Sequence, residues 1–161
     1  MKIDFYGPLP LGDYILEIID EYSRWAEVEI VRSTSAESTI PRLEKIFSAY
    51  GVPYVMTTDN GPPFNGIEIK SFASYLDIKH RRITPLWPQA NSHVETFNRR
   101  LRKLVQSAKI ENKEWKRELY KFMRNYRATP HQSTLKSPAE LMFPGRNYNE
   151  IARIATNDRR P

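Results

Sequence analysis

Residues 35–61 read SAESTIPRLEKIFSAYGVPYVMTTDNG. Ser35 offers a hydroxyl N-cap, and the spacing beyond it predicts a helix over about Ala36–Tyr50. Leu43, Ile46, Phe47 and Tyr50 fall on one face of that helix, and Gly51 then Pro53 stop it. Tyr54–Thr58 follows as a short strand and runs into the turn signal Asp59, Asn60, Gly61. A strand reached through a helix needs a crossover, which favours parallel pairing. This stretch therefore makes the chain α/β.

Upstream, residues 2–6 predict a short strand closed by the GPLP turn. The apolar run YILEIID over Tyr14–Asp20 predicts an interior strand. The alternation AEVEIV over Ala26–Val31 predicts a strand with one wet face. These three can form a meander. Downstream, residues 66–76 predict a helix with Ile69, Phe72, Ala73 and Leu76 inward, and Ile78–Ile83 a fifth strand. TPLWPQANS is a loop, followed by a long helix from about His93 to Ala108. Another runs from about Lys113 to Arg127, with Trp115, Leu119, Phe122, Met123 and Tyr126 as its buried stripe. A short last helix spans Ala139–Phe143. The sum is a five-stranded mixed sheet flanked by helices.

The chain has 161 residues, 40% hydrophobic and 27% charged, which suits one domain with one sizeable core. It has no cysteine, which excludes disulfides and cysteine-based zinc sites and suits a reducing compartment. Its apolar runs are far too short to span a membrane, and Met1 opens into a strand-like segment rather than a signal peptide. The net charge of +6 is unevenly placed. Residues 1–78 carry 6 basic and 12 acidic side chains, whereas residues 79–127 carry 14 and 4. A basic segment after an acidic one suggests a held polyanion, although a solvated basic helix face has the same composition.

Three carboxylates stand in distinct settings: Asp4 within a strand, Asp59 at a strand end and Glu95 at a helix start. Thirty-five residues separate the last two. Three such acids can converge on two divalent ions for phosphodiester chemistry. Each alone also has a plainer account. Asp59 can serve an Asx-turn, and nothing local separates Asp4 from Asp20 at the end of the next strand. Glu95 shares its helix face with Asn98, Arg99 and Arg102, a sensible grouping of a metal ligand with phosphate-reaching cations. The same spacing describes an ordinary surface pair contributing about 0.2–0.5 kcal/mol. Trp25 and Trp115 fit core positions, while Trp87 lies in the loop beside the acids. His80 and His93 do not read as metal ligands.

The segments IDFYGPLP, IIDEYSRW, TTDNGPPF, TPLWPQAN, VETFNRRL, NYRATPHQST and SPAEL occur in that order. The ordered set resembles the integrase catalytic core of gypsy-type LTR retrotransposons, with retroviral integrases as more distant relatives. The resemblance runs from about Ile3 to Arg146. It implies a ribonuclease-H-like fold, with residues 1–146 as a single catalytic core and 147–161 as a C-terminal tail. It implies that Asp4, Asp59 and Glu95 are the catalytic and metal-binding acids, and that Asp20 is not. Asn60, Asn91, Asn98, Arg99 and Arg102 fall at family positions that border the site or approach DNA. The implied activity is phosphoryl transfer with two Mg2+ or Mn2+ ions: trimming of the element's 3′ ends by water, then attack of the 3′-hydroxyl on target DNA. DNA ends and target DNA are the implied partners, with a homo-oligomeric assembly, a nuclear location and no membrane. Two rivals are a catalytically inactive nucleic-acid-binding or interaction domain derived from such an element, and a nuclease acting on RNA–DNA hybrids.

The chain departs from the family pattern at several points. Ser92 stands at the usual glycine before the catalytic helix, Trp87 where histidine is common, and Pro63 where glutamine is common. Glu17 interrupts an apolar strand, where an unpaired buried charge is expensive. Pro144 is inserted in an MFGR-like ending. The family's upstream His/Cys zinc domain and downstream DNA-binding module do not occur within these residues, as expected for a polyprotein fragment or a decayed genomic copy.

Overall fold

The structure, a computed structural model, describes residues 1–83 and 92–145, with the backbone alone at residues 10 and 92–95. Five strands form one sheet: β1 (Lys2–Tyr6), β2 (Tyr14–Ile19), β3 (Ala26–Val31), β4 (Val55–Thr58) and β5 (Lys79–Arg82), in the order β3-β2-β1-β4-β5. β1 and β2 run antiparallel, with Ile3 opposite Ile18 and Asp4 opposite Glu17. β4 pairs parallel with both β1 and β5. The helices α1 (Ala36–Tyr50) and α2 (Ile67–Tyr75) lie between the parallel strands in sequence, the crossovers that parallel pairing demands. The expected mixed sheet is present, with element ends shifted by a residue or two.

By its internal packing the chain divides into two compact units. The first comprises Met1–Ile19 and Glu27–Val94. Its core joins Ile3, Leu16, Ile18 and Met56 of the sheet to Leu43, Ile46 and Phe47 of α1 and to Ile69, Phe72 and Ala73 of α2. Phe47 and Phe72 stack with centroids 6.2 Å apart. The start of α1 is fixed as expected, since the Ser35 side chain accepts from the Ser38 amide. Gly51 ends α1 at φ 93°, a conformation that favours glycine, and its amide donates to Phe47 O. Pro41 lies inside α1, one turn past its start, and removes the hydrogen bond that its N–H would give to Glu37 O.

The wet face expected of β3 is only partly wet. Glu27 and Glu29 are half-buried. Glu29 pairs with Lys45 at 2.6 Å and Arg42 at 3.8 Å, and Glu27 accepts from the Tyr50 hydroxyl at 2.6 Å. Polar residues alternate on this strand because the polar flank of α1 covers them.

The second unit comprises Asp20–Ala26 and the chain from Glu95 onward. It contains α3 (Ser92–Ile110, beginning just before this unit), α4 (Trp115–Ala128) and α5 (Pro138–Met142). Phe97, Leu101, Val105 and Ala108 line the buried stripe of α3, and Leu119, Met123 and Tyr126 that of α4. Trp115 and Phe122, expected on the buried stripe, are half-buried at its margin. Phe97 meets Tyr126 edge-on at 5.0 Å. The link between β2 and β3 is held by α4. Arg127 donates from Nε and Nη2 to Ala26 O at 3.1 and 2.8 Å and lies 4.4 Å over the Trp25 ring. The Tyr126 hydroxyl donates to Arg24 O at 2.9 Å. Ser137 and Glu140 close a capping box at the start of α5.

Leu43 is fully buried at the centre of the first unit. Leu43→Ala is expected to cost about 2–5 kcal/mol, read as a lower urea midpoint at unchanged slope.

Candidate active site at the strand ends

Two of the three acids belong to the first unit, and sheet register brings them together. Lys2 of β1 is paired with Thr57 of β4 in parallel. Carried two residues forward on each chain, that register sets Asp4 level with Asp59, one residue past the end of β4. Residues two apart on a strand share a face, and neighbouring strands lie about 4.8 Å apart. The two acids thus stand side by side at the carboxyl end of β4, on one face.

Each is oriented by its own backbone. Asp4 Oδ1 accepts from the Phe5 amide at 2.8 Å. Asp59 is exposed, and its Oδ1 accepts from the Gly61 amide at 3.1 Å. The Asx-turn offered as the plainer account of Asp59 is therefore present, and it aims the carboxylate rather than competing with a role for it. Gly61 matters for a second reason: a Cβ there would lie 3.2 Å from Asp59 Oδ2. Beyond it, Phe64 is buried and stacks on Phe5 at 5.6 Å, so the turn is anchored beside Asp4. Pro63 is buried in the same anchor.

Two residues that the sequence singles out without placing them stand beside these acids. Glu17 flagged itself as a polar break in an apolar strand, but its position opposite Asp4 required the β1–β2 register. It is 1% exposed. Burial holds its carboxyl well above the usual range near 4.5, and the adjacent Asp4 charge adds to the rise. The second neighbour is His80, whose Nε2 lies 2.9 Å from Thr58 Oγ1. That hydroxyl donates to Asp59 O at 2.7 Å, so the imidazole supplies its Nε2–H as donor. Burial and then Arg82 lower the His80 pKa, which keeps the ring neutral at pH 7. His80 braces the end of β4 through Thr58.

The remaining sequence-selected residues are placed as follows. Asn60 is exposed beside Asp59. Asn98 is half-buried on α3, and Arg99 and Arg102 are exposed there, all in the second unit. Glu95 lies in the first turn of α3, and its side chain is outside the described residues, as are Asn91, Trp87 and the side chains of Ser92 and His93. Asp20, which local sequence could not separate from Asp4, is spent at the β2–β3 link. Its Oδ2 accepts from the Ser23 amide at 2.8 Å and hydroxyl at 2.7 Å.

Among the described residues no three His, Cys, Asp or Glu side chains gather as a metal site. Asp4 and Asp59 nevertheless fit a divalent cation in kind. They are hard oxygen donors at one sheet edge, of the type Mg2+ and Mn2+ prefer, and a glycine leaves room beside Asp59.

A five-stranded mixed sheet in this order, with helical crossovers between its parallel strands, is a ribonuclease-H-like fold. It is the fold of the HTLV-2 integrase catalytic core domain, solved in complex with magnesium, which aligns with a TM-score of 0.69 at 18% identity over 88% of this chain and 95% of that one. Residues 1–88 match the integrase core domain, and the chain belongs to that family, within the retroviral integrase superfamily. An uncharacterized protein of Caenorhabditis elegans is 34% identical over 99% of this chain and 12% of its own length. The Gag-Pol polyprotein of feline leukemia virus is 32% identical over 81% of this chain and 8% of its own. The chain thus spans a small part of these relatives. Among the described residues no helix is long and apolar enough to cross a membrane.

Two outcomes follow from this geometry. Gly61→Ala is expected to displace the Asp59 carboxylate by a few tenths of an ångström, lowering Mn2+ affinity in calorimetry with little change in melting temperature. Glu17 keeps its proton when folded over a range, starting near pH 4.5, in which the unfolded chain has lost it. The folded state binds more protons there, so stability falls as pH rises from about 4.5 through the raised value. In chelator, Glu17→Gln is expected to flatten that decline, so that its stability advantage over the native chain grows with pH across the window.

Proposed function

We propose that this chain is the catalytic core of a DNA integrase of gypsy-type retrotransposon origin. The observation that carries the reading is the β1–β4 register that sets Asp4 level with Asp59, in a chain of the integrase core family. Residues 1–146 act as the core and 147–161 as its tail. Asp4, Asp59 and Glu95 hold the divalent cations, Mg2+ or Mn2+. When bound, these supply the positive charge that phosphoryl transfer needs. The chain's own residues have three tasks. The Gly61 amide and the Phe5 amide orient the carboxylates. Thr58 and His80 hold the strand end from which Asp59 projects. Asn60, Asn91, Asn98, Arg99 and Arg102 approach the DNA, whose phosphates the bare acids would repel.

The reaction is displacement at phosphorus. Water breaks a phosphodiester near the element's 3′ end, and the freed 3′-hydroxyl then displaces a 3′-oxygen in target DNA. No covalent protein intermediate is required, consistent with carboxylates rather than Ser or Cys at the site. A homo-oligomer working on nuclear DNA completes the reading; one solved relative, the HTLV-2 core, is described as a trimeric form.

A second reading is a nucleic-acid-binding domain that has lost catalysis. The buried Glu17 beside Asp4 favours it, since ionising Glu17 would set a second negative charge against Asp4. A Mn2+-dependent transesterification assay on branched DNA that mimics the joined product separates the two. Activity that falls at least about 100-fold in Glu95→Gln, the scale of losing one group that stabilises transition-state charge, supports the integrase. A folded chain that binds DNA but is inactive with or without the substitution supports the second reading.

A further inference from the structure

The second unit contains two arginines for which neither fold nor proposed chemistry accounts. Arg24 lies in the link between β2 and β3 in the left-handed region, at φ 62°. Its carbonyl is tied to the Tyr126 hydroxyl at 2.9 Å. Its Nε is buried and has no hydrogen-bond partner among the described residues. A buried guanidinium nitrogen without an acceptor is costly, so such an atom marks a place where an anion is wanted. Arg100 belongs to the α3 turn that packs on the same tyrosine. It is three residues, nearly one turn, after Phe97, whose ring meets the Tyr126 ring at 5.0 Å. Neither arginine pairs with a carboxylate among the described residues. The acid nearest Arg24 in this link with a defined role, Asp20, is occupied by Ser23.

We propose that Arg24 and Arg100, set around Tyr126, form a phosphate-binding notch that takes a phosphodiester of the DNA backbone. The notch rests on the DNA-binding reading above but lies apart from the residues assigned there. At 100° per residue, Arg100 is roughly 140° round α3 from position 95, on the other flank of the buried stripe from Asn98 and Arg102. The phenol of Tyr126 senses both arginines. Burial pushes its pKa up to about 12, while Arg100 and Arg24 act to lower it. Arg127 provides the contrast: its guanidinium is satisfied by Ala26 O and Trp25, and it is left out of the notch.

The test is the salt dependence of duplex DNA binding by the full chain, followed by fluorescence anisotropy between about 50 and 200 mM salt. Each phosphate contact contributes about 0.9 to the slope of log K against log salt. Arg24→Gln and Arg100→Gln are each expected to reduce the slope by about 1 and to weaken binding several-fold whatever the sequence. Lys70→Gln, on the exposed surface of α2, should leave the slope as it is. Arg100 is exposed, so its variant reports even if Arg24→Gln fails to fold. Native binding with an unchanged slope in both variants overturns the notch and leaves the DNA-binding reading standing. A native chain that binds no DNA overturns both. A variant that alters self-association but not the slope also overturns the notch and points to a protein carboxylate.

Discussion

Parallel pairing of β1 with β4 is the constraint on which both the sheet and the acids depend. It is secured at its start, where the Met1 amine donates to Val55 O and the Thr57 amide to Met1 O, both at 2.8 Å. Burial of Ile3 and Met56 against α1 and α2 secures its face. A slip of one residue would send every β4 side chain to the opposite face, taking Asp59 away from Asp4 and Met56 out of the core. The packing that holds the fold therefore also sets the chemistry. Strand pairing leaves only the last few ångströms to local devices: the Asx-turn at Asp59, the bare Gly61 and the Phe64–Phe5 anchor.

Elements governed by local physics were legible in the sequence. α1 could be read because Ser35 caps it, its apolar residues recur at helical spacing and Gly51 ends it. The order of strands and crossovers followed from such elements. Features that depend on what an element packs against were not legible. Alternation on β3 reads as a wet face because a sequence cannot distinguish water from the Lys45 and Tyr50 flank of α1. Trp115 and Phe122 have the right spacing for the α4 stripe but sit at its edge, where periodicity has no resolution.

The site divides along the same line. Asp59 and its turn were visible as a tripeptide. Asp4 was not separable from Asp20 by its neighbours, because the difference is tertiary. Asp20 is consumed by Ser23, whereas Asp4 faces Glu17 across β1–β2 and lies level with Asp59 across β1–β4. The bond from His80 to Thr58 joins residues 22 apart and exists only because β5 lies beside β4. Glu17 announced itself as an anomaly, and the register explains where its cost falls. A buried acid beside Asp4 stays protonated unless nearby positive charge offsets it, so the cost of the chain's departure from an apolar strand is set by the charge around Asp4 as well as by packing.

The charge of the basic segment must be partitioned before it can be given a meaning. Lys113 and Lys121 are paired with Glu111 and Glu118, and surface pairs of this kind contribute little to stability while withdrawing cations from other partners. Arg127 is structural, since it bonds the backbone where β3 begins. What remains on α3 is spread round the helix: Arg99 and Arg102 lie within about 40° of position 95, Lys103 about 80° and Arg100 about 140° round from it. A composition of 14 basic against 4 acidic residues in 79–127 suggested one cationic face. Its distribution instead puts cations on both sides of the buried stripe of α3, so a surplus of basic residues in the sequence does not amount to one cationic face.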